Sequence, residues 1–169
     1  ENNLLETQDQ VLGVIWDGTG YGNDNQIWGG EFFLYSNHSM ERTAHINYFQ
    51  QLLGDKMSKE PRLSALSLLH TIPGTEENVR HLFSEKEWNY YTQLLKQPDP
   101  LHTSSMGRLL DGISCLLGIR TINSYEGEAA LLLEAMAETC KVIPASFYPL
   151  PFISRKVDWS LLINGVLND

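Results

Sequence analysis

The sequence predicts an α+β or α/β fold, with an antiparallel three-stranded start followed by a helical bundle. Apolar and alternating runs typical of strands occupy the first 49 residues, and from residue 59 onward apolar residues recur at helical spacing. At 169 residues, of which 42% are hydrophobic and 20% charged, the chain has room for one domain with an apolar core.

Three strands are expected near the start. Residues 11–16, VLGVIW, are so apolar that we expect both faces of this strand to be buried. A glycine-rich loop follows, and residues 27–35 return as the second strand of a hairpin. Residues 42–49 alternate, with Ala44, Ile46 and Tyr48 on one face, which predicts a third strand with its other face toward solvent.

The later segments predict helices. Pro61 suits the first turn of a helix that ends before Pro73-Gly74, and Ser84 with Glu87 forms a capping box for a helix over 84–97. Ser104 or Ser105 caps a third helix through residue 117, and residues 127–141 form a fourth, with Ala129, Leu132, Leu133, Met136 and Cys140 buried. An extended piece over 147–157 leads to a closing helix over 159–167, capped by Asp158.

Composition excludes several classes of function. The net charge of −9 argues against nucleic-acid binding, because phosphate backbones repel an acidic surface. No apolar run is long enough to cross a bilayer and no signal peptide opens the sequence, so we expect a cytoplasmic protein without a membrane partner. The five histidines match no metal-ligand spacing, and Cys115 and Cys140 are expected to be buried and reduced.

The first chemistry-bearing segment is DGTGYGNDNQIWGGEFF, residues 17–33. Its glycines allow backbone N–H groups to approach an anion closely, and Asp17 follows a strand, where a carboxylate can hold a hard metal ion or orient a water. The alternative is a glycine-rich hairpin in which Asp17 caps its own turn.

The second segment is SSMGRLLD, residues 104–111. Two serines at a helix N-terminus together with Arg108 can bind an anion, and Gly107 leaves space above Asp111 in which a ribose could share its hydroxyls with the carboxylate. The alternative is ordinary capping, close helix packing at Gly107 and an ion pair between Arg108 and Asp111.

The third segment is SYEGEAA, residues 124–130, directly before an alanine-rich helix. Glu126 is favourable near a helix N-terminus without any ligand. A glycine in a first turn weakens a helix, so Gly127 indicates close approach of either a ligand or a neighbouring backbone.

In this order and at these separations, DGTGYGxDxxIWGGEFF, SSxGRLLDxxxxLLG and SYEGEAA resemble the carbamoyltransferase domain of the HypF family of hydrogenase maturation factors. The resemblance runs from about residue 11 to the end and implies a sugar-kinase/actin-like ATPase type of domain. It further implies that residues 1–169 are a single partial domain. The family's histidine-rich metal motif, expected upstream, and its Gly-Gly adenosine motif, expected downstream, are absent from this sequence.

The resemblance also implies a chemistry. Such an enzyme makes carbamoyl-adenylate from carbamoyl phosphate and ATP on a separate domain. The domain resembled here then passes the carbamoyl group to the C-terminal cysteine of HypE, for the cyanide ligands of NiFe-hydrogenase. The expected cofactors are ATP or carbamoyl-adenylate and a divalent metal ion, and the expected partners are HypE and the remaining HypF domains. The segment alone is expected to be inactive.

By the same resemblance, Asp17 is expected to be catalytic and to ligate the metal, with Arg108 as a second catalytic residue. The phosphate or carbamoyl end is expected against Gly18, Thr19, Gly20, Gly22, Gly29 and Gly30. The nucleotide is expected against Gly107, Asp111, Glu126 and Gly127. Asn25 stands where the family usually has glycine, which is tolerable because asparagine also adopts left-handed backbone.

Two other hypotheses stay open at this point. One is a nucleotide-binding or scaffold module that keeps the fold without the transfer chemistry. The other is a relative of the tRNA threonylcarbamoyl-adenosine synthases, against which the negative charge and the DGTGYG loop both count.

Overall fold

A computed structural model describes residues 10–141 and 147–169. Its long strands are β1 (Val11–Tyr21), β2 (Ile27–Ser36) and β3 (Ser39–Ile46). β1 pairs antiparallel with β2, and β2 pairs antiparallel with β3. This meander confirms the predicted three-stranded start, although β3 begins and ends three residues earlier than the predicted 42–49, which leaves Tyr48 outside it.

Four two-residue strands extend the sheet: β4 (Phe49–Gln50), β5 (His102–Thr103), β6 (Phe152–Ile153) and β7 (Lys156–Val157). The order across the sheet is β4-β5-β2-β3-β7-β6, with β1 also pairing with β2. β5 and β7 run parallel to the long strands they join, so the sheet is mixed. β5 leads directly into the helix at the candidate site.

The prediction for β1 was wrong in two respects. The strand runs on through the glycine-rich segment to Tyr21, with a break in register between Trp16 and Gly20. It is also not buried, since Leu12 and Trp16 are 60% and 62% exposed. The reason is that β1 is an edge strand, which within the described residues pairs with β2 alone.

The helices are α1 (Lys56–Lys59), α2 (Pro61–His70), α3 (Glu85–Leu95), α4 (Met106–Leu116), α5 (Glu128–Thr139) and α6 (Ser160–Asn168). A 3-10 helix, Glu76–Leu82, was not predicted. Pro61 at the start of α2 and the Ser84–Glu87 capping box of α3 confirm two local predictions. α6 begins one residue later than predicted, and Asp158 accepts a hydrogen bond from the Ser160 N–H.

The core lies between the sheet, α2 and α4. Leu63, Leu66 and Leu69 of α2 have no exposed surface, and Phe49 meets Trp159 edge to face at 5.8 Å. Cys115 of α4 is buried as predicted, and burial raises the pKa of its thiol to about 12, so that it stays protonated.

The burial predicted for the side chains of α5 was wrong along most of the helix. Ala129 is buried in its first turn, but Leu132 and Met136 are 37% and 46% exposed, and Cys140 is also exposed. This helix is buried mainly at its start, next to α4, which leaves its later turns toward solvent. No helix in the described residues is long and apolar enough to span a membrane.

Candidate functional site

A cleft of about 440 Å³ opens between the end of β1, the end of α1, α4 and the α4–α5 connection. Small-molecule sites typically have roughly 300–1,000 Å³, so the cleft is large enough for a nucleotide-sized ligand. Of the predicted site residues, Thr19, Arg108 and Glu126 line it. Ser58, Lys59 and Asn123, which belong to none of the predicted sites, line it as well.

The first and second motifs meet at the N-terminus of α4. Ser105 Oγ donates to the carbonyl oxygen of Gly18, at 2.6 Å, and lies 3.2 Å from that of Asp17. Ser105 Oγ also accepts a hydrogen bond from the Arg108 backbone N–H at 3.1 Å, which makes Ser105 the N-cap of α4. The glycine-rich end of β1 is therefore held directly against the helix that carries Arg108 and Asp111.

The Asp17 side chain is exposed, and its Oδ1 accepts a hydrogen bond from the Gly18 N–H at 2.6 Å. This contact joins two neighbouring residues within β1, near the break in register between Trp16 and Gly20, so Asp17 does not cap a turn. Across residues 10–141 and 147–169, no group of three His, Cys, Asp or Glu side chains is arranged to hold a metal ion. Asp17 thus supplies one carboxylate, and the described residues alone do not complete a metal site.

Several of the predicted ligand-cradling glycines instead allow protein backbones to approach each other. A Cβ at Gly29 would lie 2.5 Å from the Asp17 carbonyl oxygen, and one at Gly30 would lie 2.5 Å from the Ser104 carbonyl oxygen. Gly22 lies against the Trp28 indole, and Gly20 against the Trp28 backbone. These glycines allow β1 and the start of α4 to pack on β2.

The space expected above Gly107 is filled. A Cβ there would lie 3.2 Å from Gly18 Cα, so the glycine makes room for β1 rather than for a ribose. Gly18 itself is less crowded, because the nearest atom to a Cβ at this position would be Glu126 Oε1, at 4.0 Å. Where β1 meets the start of α4, the open space therefore lies next to Gly18 and not next to Gly107.

Asp111 is fully buried, and its neighbours in the described residues are the Arg108 guanidinium and the Asn123 amide, neither of which gives it a well-directed hydrogen bond. Arg108 Nε lies 2.9 Å from Asp111 Oδ2, but its N–H direction does not form a hydrogen bond. Burial raises the pKa of Asp111 to about 6, although the charge of Arg108 and the nearby Asn123 amide act to lower it. A buried carboxylate whose hydrogen bonds are incomplete costs free energy, even beside a counter-charge.

The third motif forms the far wall. Glu126 is exposed and lines the cleft, while Gly127 is the N-cap of α5 with φ +79° and nothing within 4 Å of a Cβ. Its glycine is therefore required by the left-handed backbone, not by close approach of another group. Glu128 accepts from the Ser124 N–H and pairs with Arg120 at 2.9 Å, which fixes the turn.

A buried ionic cluster lies behind the site, and none of the sequence motifs includes it as a unit. Glu31 is 2% exposed and accepts from the Gly30 N–H, from Ser104 Oγ and from Arg42 Nη2. Arg42 also contacts Asp24 at 3.3 Å and lies 3.9 Å above the Trp28 ring. The residues come from three segments, so no local pattern marks them, although Glu31 within an apolar strand is a signal of a paired buried charge.

Comparison with known proteins decides the family. A family model described as "Carbamoyltransferase, Kae1-like Domain, second subdomain" matches residues 13–169. The chain belongs to the HypF carbamoyltransferase family. HypF of Synechocystis sp. is 33% identical over 100% of this chain, and the probable carbamoyltransferase HypF of Methanocaldococcus jannaschii is 39% identical over 83% of it.

Solved HypF structures have the same fold. A full-length HypF in its phosphate- and nucleotide-bound form matches with a TM-score of 0.84 at 26% identity over 97% of this chain. HypF of T. kodakarensis matches with a TM-score of 0.82 at 29% identity over 95%. These matches confirm the predicted family and mixed α and β fold.

The chain spans only part of these relatives. It covers 24% of the Synechocystis HypF, 19% of the M. jannaschii HypF and 22% of each HypF crystal structure. Membership of a carbamoyltransferase family is therefore established, while the roles predicted for individual site residues stay predictions.

Proposed function

We propose that this chain provides one wall of the nucleotide site of a HypF carbamoyltransferase. In the complete protein, this wall binds ATP or carbamoyl-adenylate while the carbamoyl group passes to the C-terminal cysteine of HypE. The relative solved in a phosphate- and nucleotide-bound form supports a nucleotide as the ligand. The remaining HypF domains and HypE are the proposed partners, and the cytoplasm is the proposed compartment.

The observation that carries this proposal is the buried carboxylate of Asp111, which lies directly behind two residues of the cleft wall, Arg108 and Asn123. Its hydrogen bonds are incomplete, and Asn123, whose Oδ1 is buried without a partner in the described residues, lies next to it. Ribose presents two adjacent hydroxyls, which can donate to a carboxylate and exchange hydrogen bonds with an amide. We propose that Asp111 and Asn123 bind the ribose.

Carbamoyl transfer would form a bond between the cysteine sulfur of HypE and the carbamoyl carbon. The bond from that carbon to the phosphate oxygen breaks, AMP leaves with the electron pair, and the thiol proton is released. Negative charge develops on the carbamoyl and phosphate oxygens. A positive charge or oriented N–H group at the cleft, such as Arg108, would stabilise it.

The divalent metal remains a separate proposal. Asp17 is exposed next to the cleft and could be one ligand, and the other ligands would have to come from outside the described residues. Such an ion would add positive charge near the transferred group. No step of the proposed transfer is assigned to it.

Titration of ATP into the isotopically labelled chain, followed by amide NMR, tests the nucleotide site. We expect weak binding that shifts the amide signals of Thr19, Ser124 and Glu126, which border the cleft. Asp111→Asn should weaken it about tenfold, because a hydrogen bond to a charged group is lost. The matched control Asp99→Asn alters an exposed carboxylate outside the cleft and should change nothing. Unchanged ATP affinity in Asp111→Asn would refute the ribose assignment.

A further inference from the structure

We propose that Lys59 forms the phosphate-binding end of the cleft. The inference rests on the proposed nucleotide site and adds to it a cation on the wall opposite the glycine-rich strand. Lys59 ends α1, immediately before Glu60 and the start of α2, and it lines the cleft together with Thr19 and Arg108.

Lys59 differs from the basic residues near it in sequence, because those residues already have partners. Its neighbours are occupied: Lys56 Nζ lies 2.8 Å from Tyr91 Oη and 3.5 Å from Glu60, and Arg62 pairs with Glu60 and with Glu87, both at 2.7 Å. In the part of the chain that the structure describes, Lys59 forms no ion pair within 4.0 Å. Of Lys56, Lys59 and Arg62, Lys59 thus lines the cleft and has no carboxylate partner in the described residues.

The backbone at Lys59 is fixed in place against the proposed ribose end. The Asn123 N–H donates to the Lys59 carbonyl oxygen at 2.8 Å, and Asn123 Nδ2 donates to the Ser58 carbonyl oxygen at 2.9 Å. Asn123 thus connects the end of α1 with the neighbourhood of Asp111. A nucleotide whose ribose lies at Asp111 and Asn123 would have its phosphates within reach of the flexible Lys59 side chain.

The charge balance of the cleft favours Lys59 in this role. The chain carries a net charge of −9, and the carboxylates of Asp55 and Glu126 also line the cleft. Arg108 is the other lining cation, and part of its charge is offset by Asp111, which lies 2.9 Å away. Lys59 is the lining cation whose charge no carboxylate of the described residues offsets within 4.0 Å, so it is the stronger attraction for a polyphosphate. Its ammonium group presents three donors on a flexible stem, which suits successive phosphate oxygens.

The test uses three probes: adenosine, tripolyphosphate and ATP, each titrated into the labelled chain and followed by amide NMR. Lys59→Met should weaken tripolyphosphate and ATP binding about fivefold to tenfold, since a charged contact at an exposed site is lost, and should leave adenosine binding unchanged. Lys59→Arg keeps the charge and should restore most of the ATP affinity. Lys56→Met is the matched control, because Lys56 lies one turn away and does not line the cleft.

The three probes separate the two proposals. If tripolyphosphate binding depends on Lys59 but adenosine does not bind, the phosphate subsite stands and the nucleotide site fails. If adenosine binds and Lys59→Met keeps full affinity for ATP and tripolyphosphate, the nucleotide site stands and the role of Lys59 is refuted. An equal loss in Lys59→Met and Lys56→Met would also refute it, because a general effect of surface charge would then explain the result.

Discussion

Burial of the Asp111 carboxyl raises its pKa to about 6, from a usual value of 3.8. A pKa that is higher in the folded than in the unfolded state means that the folded chain binds the proton more tightly. The contribution of this group to stability is therefore fully present below about pH 4 and is lost as the pH rises through 6. Without a ligand, the site costs the protein stability at neutral pH.

This linkage predicts a pH-dependent difference between the wild-type chain and Asp111→Asn, which has no proton to lose. The unfolding free energy of the wild type, relative to the variant, should fall by about 2 kcal/mol between pH 4 and pH 7, most of the effect expected for a shift of about two pKa units. Urea denaturation at intervals of one pH unit measures it. A difference that stays constant with pH would show that Asp111 titrates normally and is not desolvated in solution.

The glycines of the hairpin show how little residue type alone says about a binding loop. Gly29 and Gly30 resemble a ligand cradle in the sequence, yet protein backbone lies where their side chains would be, and Gly107 of α4 likewise lies close against Gly18. Asn25, by contrast, has φ +61°, as its substitution for glycine predicted. A left-handed turn is set locally, but what occupies the space above a glycine depends on segments distant in the chain.

The meander of β1, β2 and β3 is joined to α4 through the buried cluster around Arg42. Arg42 on β3 contacts Glu31 on β2 at 3.0 Å, and Glu31 in turn accepts from Ser104 Oγ, directly before the α4 N-cap. The next residue, Ser105, holds the carbonyl oxygens of Asp17 and Gly18. The position of the cleft wall thus depends on an ion pair that lies outside the cleft.

Loss of the Arg42 charge should therefore destabilise the folded chain strongly. Arg42→Met leaves Glu31 buried without its counter-charge and should lower the free energy of unfolding by about 3 kcal/mol or more. The matched control is Arg155→Met, whose pair with Glu41 is 3.6 Å long with both side chains more than two-thirds exposed. That change should cost about 0.5 kcal/mol or less. Equal costs in a urea titration would mean that the cluster does not hold the sheet to α4.

Much of the architecture could be predicted because its signals are local. The three long strands, Pro61 at the start of α2 and the capping box of α3 each follow from a few neighbouring residues. The two-residue strands could not be predicted, since β5 exists through its pairing with β2 and β4, whose residues are distant in sequence. The apolar pattern of residues 11–16 likewise predicts a strand but cannot show that it lies at an edge.

The same distinction applies to the candidate site. The motifs correctly indicated three segments that meet, since Gly18 contacts Ser105, and Glu126 lies near Gly18. They did not indicate Lys59 or Asn123, because these residues reach the cleft only through the approach of α1 to the α4–α5 connection. Motif spacing therefore identifies segments, while the opposite wall of a cleft requires the tertiary structure.

The proposed role of this segment in carbamoyl transfer is tested most directly by Asp17→Ala in a full-length HypF protein that carries the segment. The side chain is exposed and accepts one hydrogen bond, from Gly18, so its removal should leave the fold intact. Mass spectrometry of the HypE C-terminus would report transfer, and release of pyrophosphate from ATP would report formation of carbamoyl-adenylate. We predict loss of the carbamoyl mass on HypE with adenylate formation retained. Undiminished transfer would contradict this role and leave Asp17 with only its hydrogen bond from the Gly18 N–H.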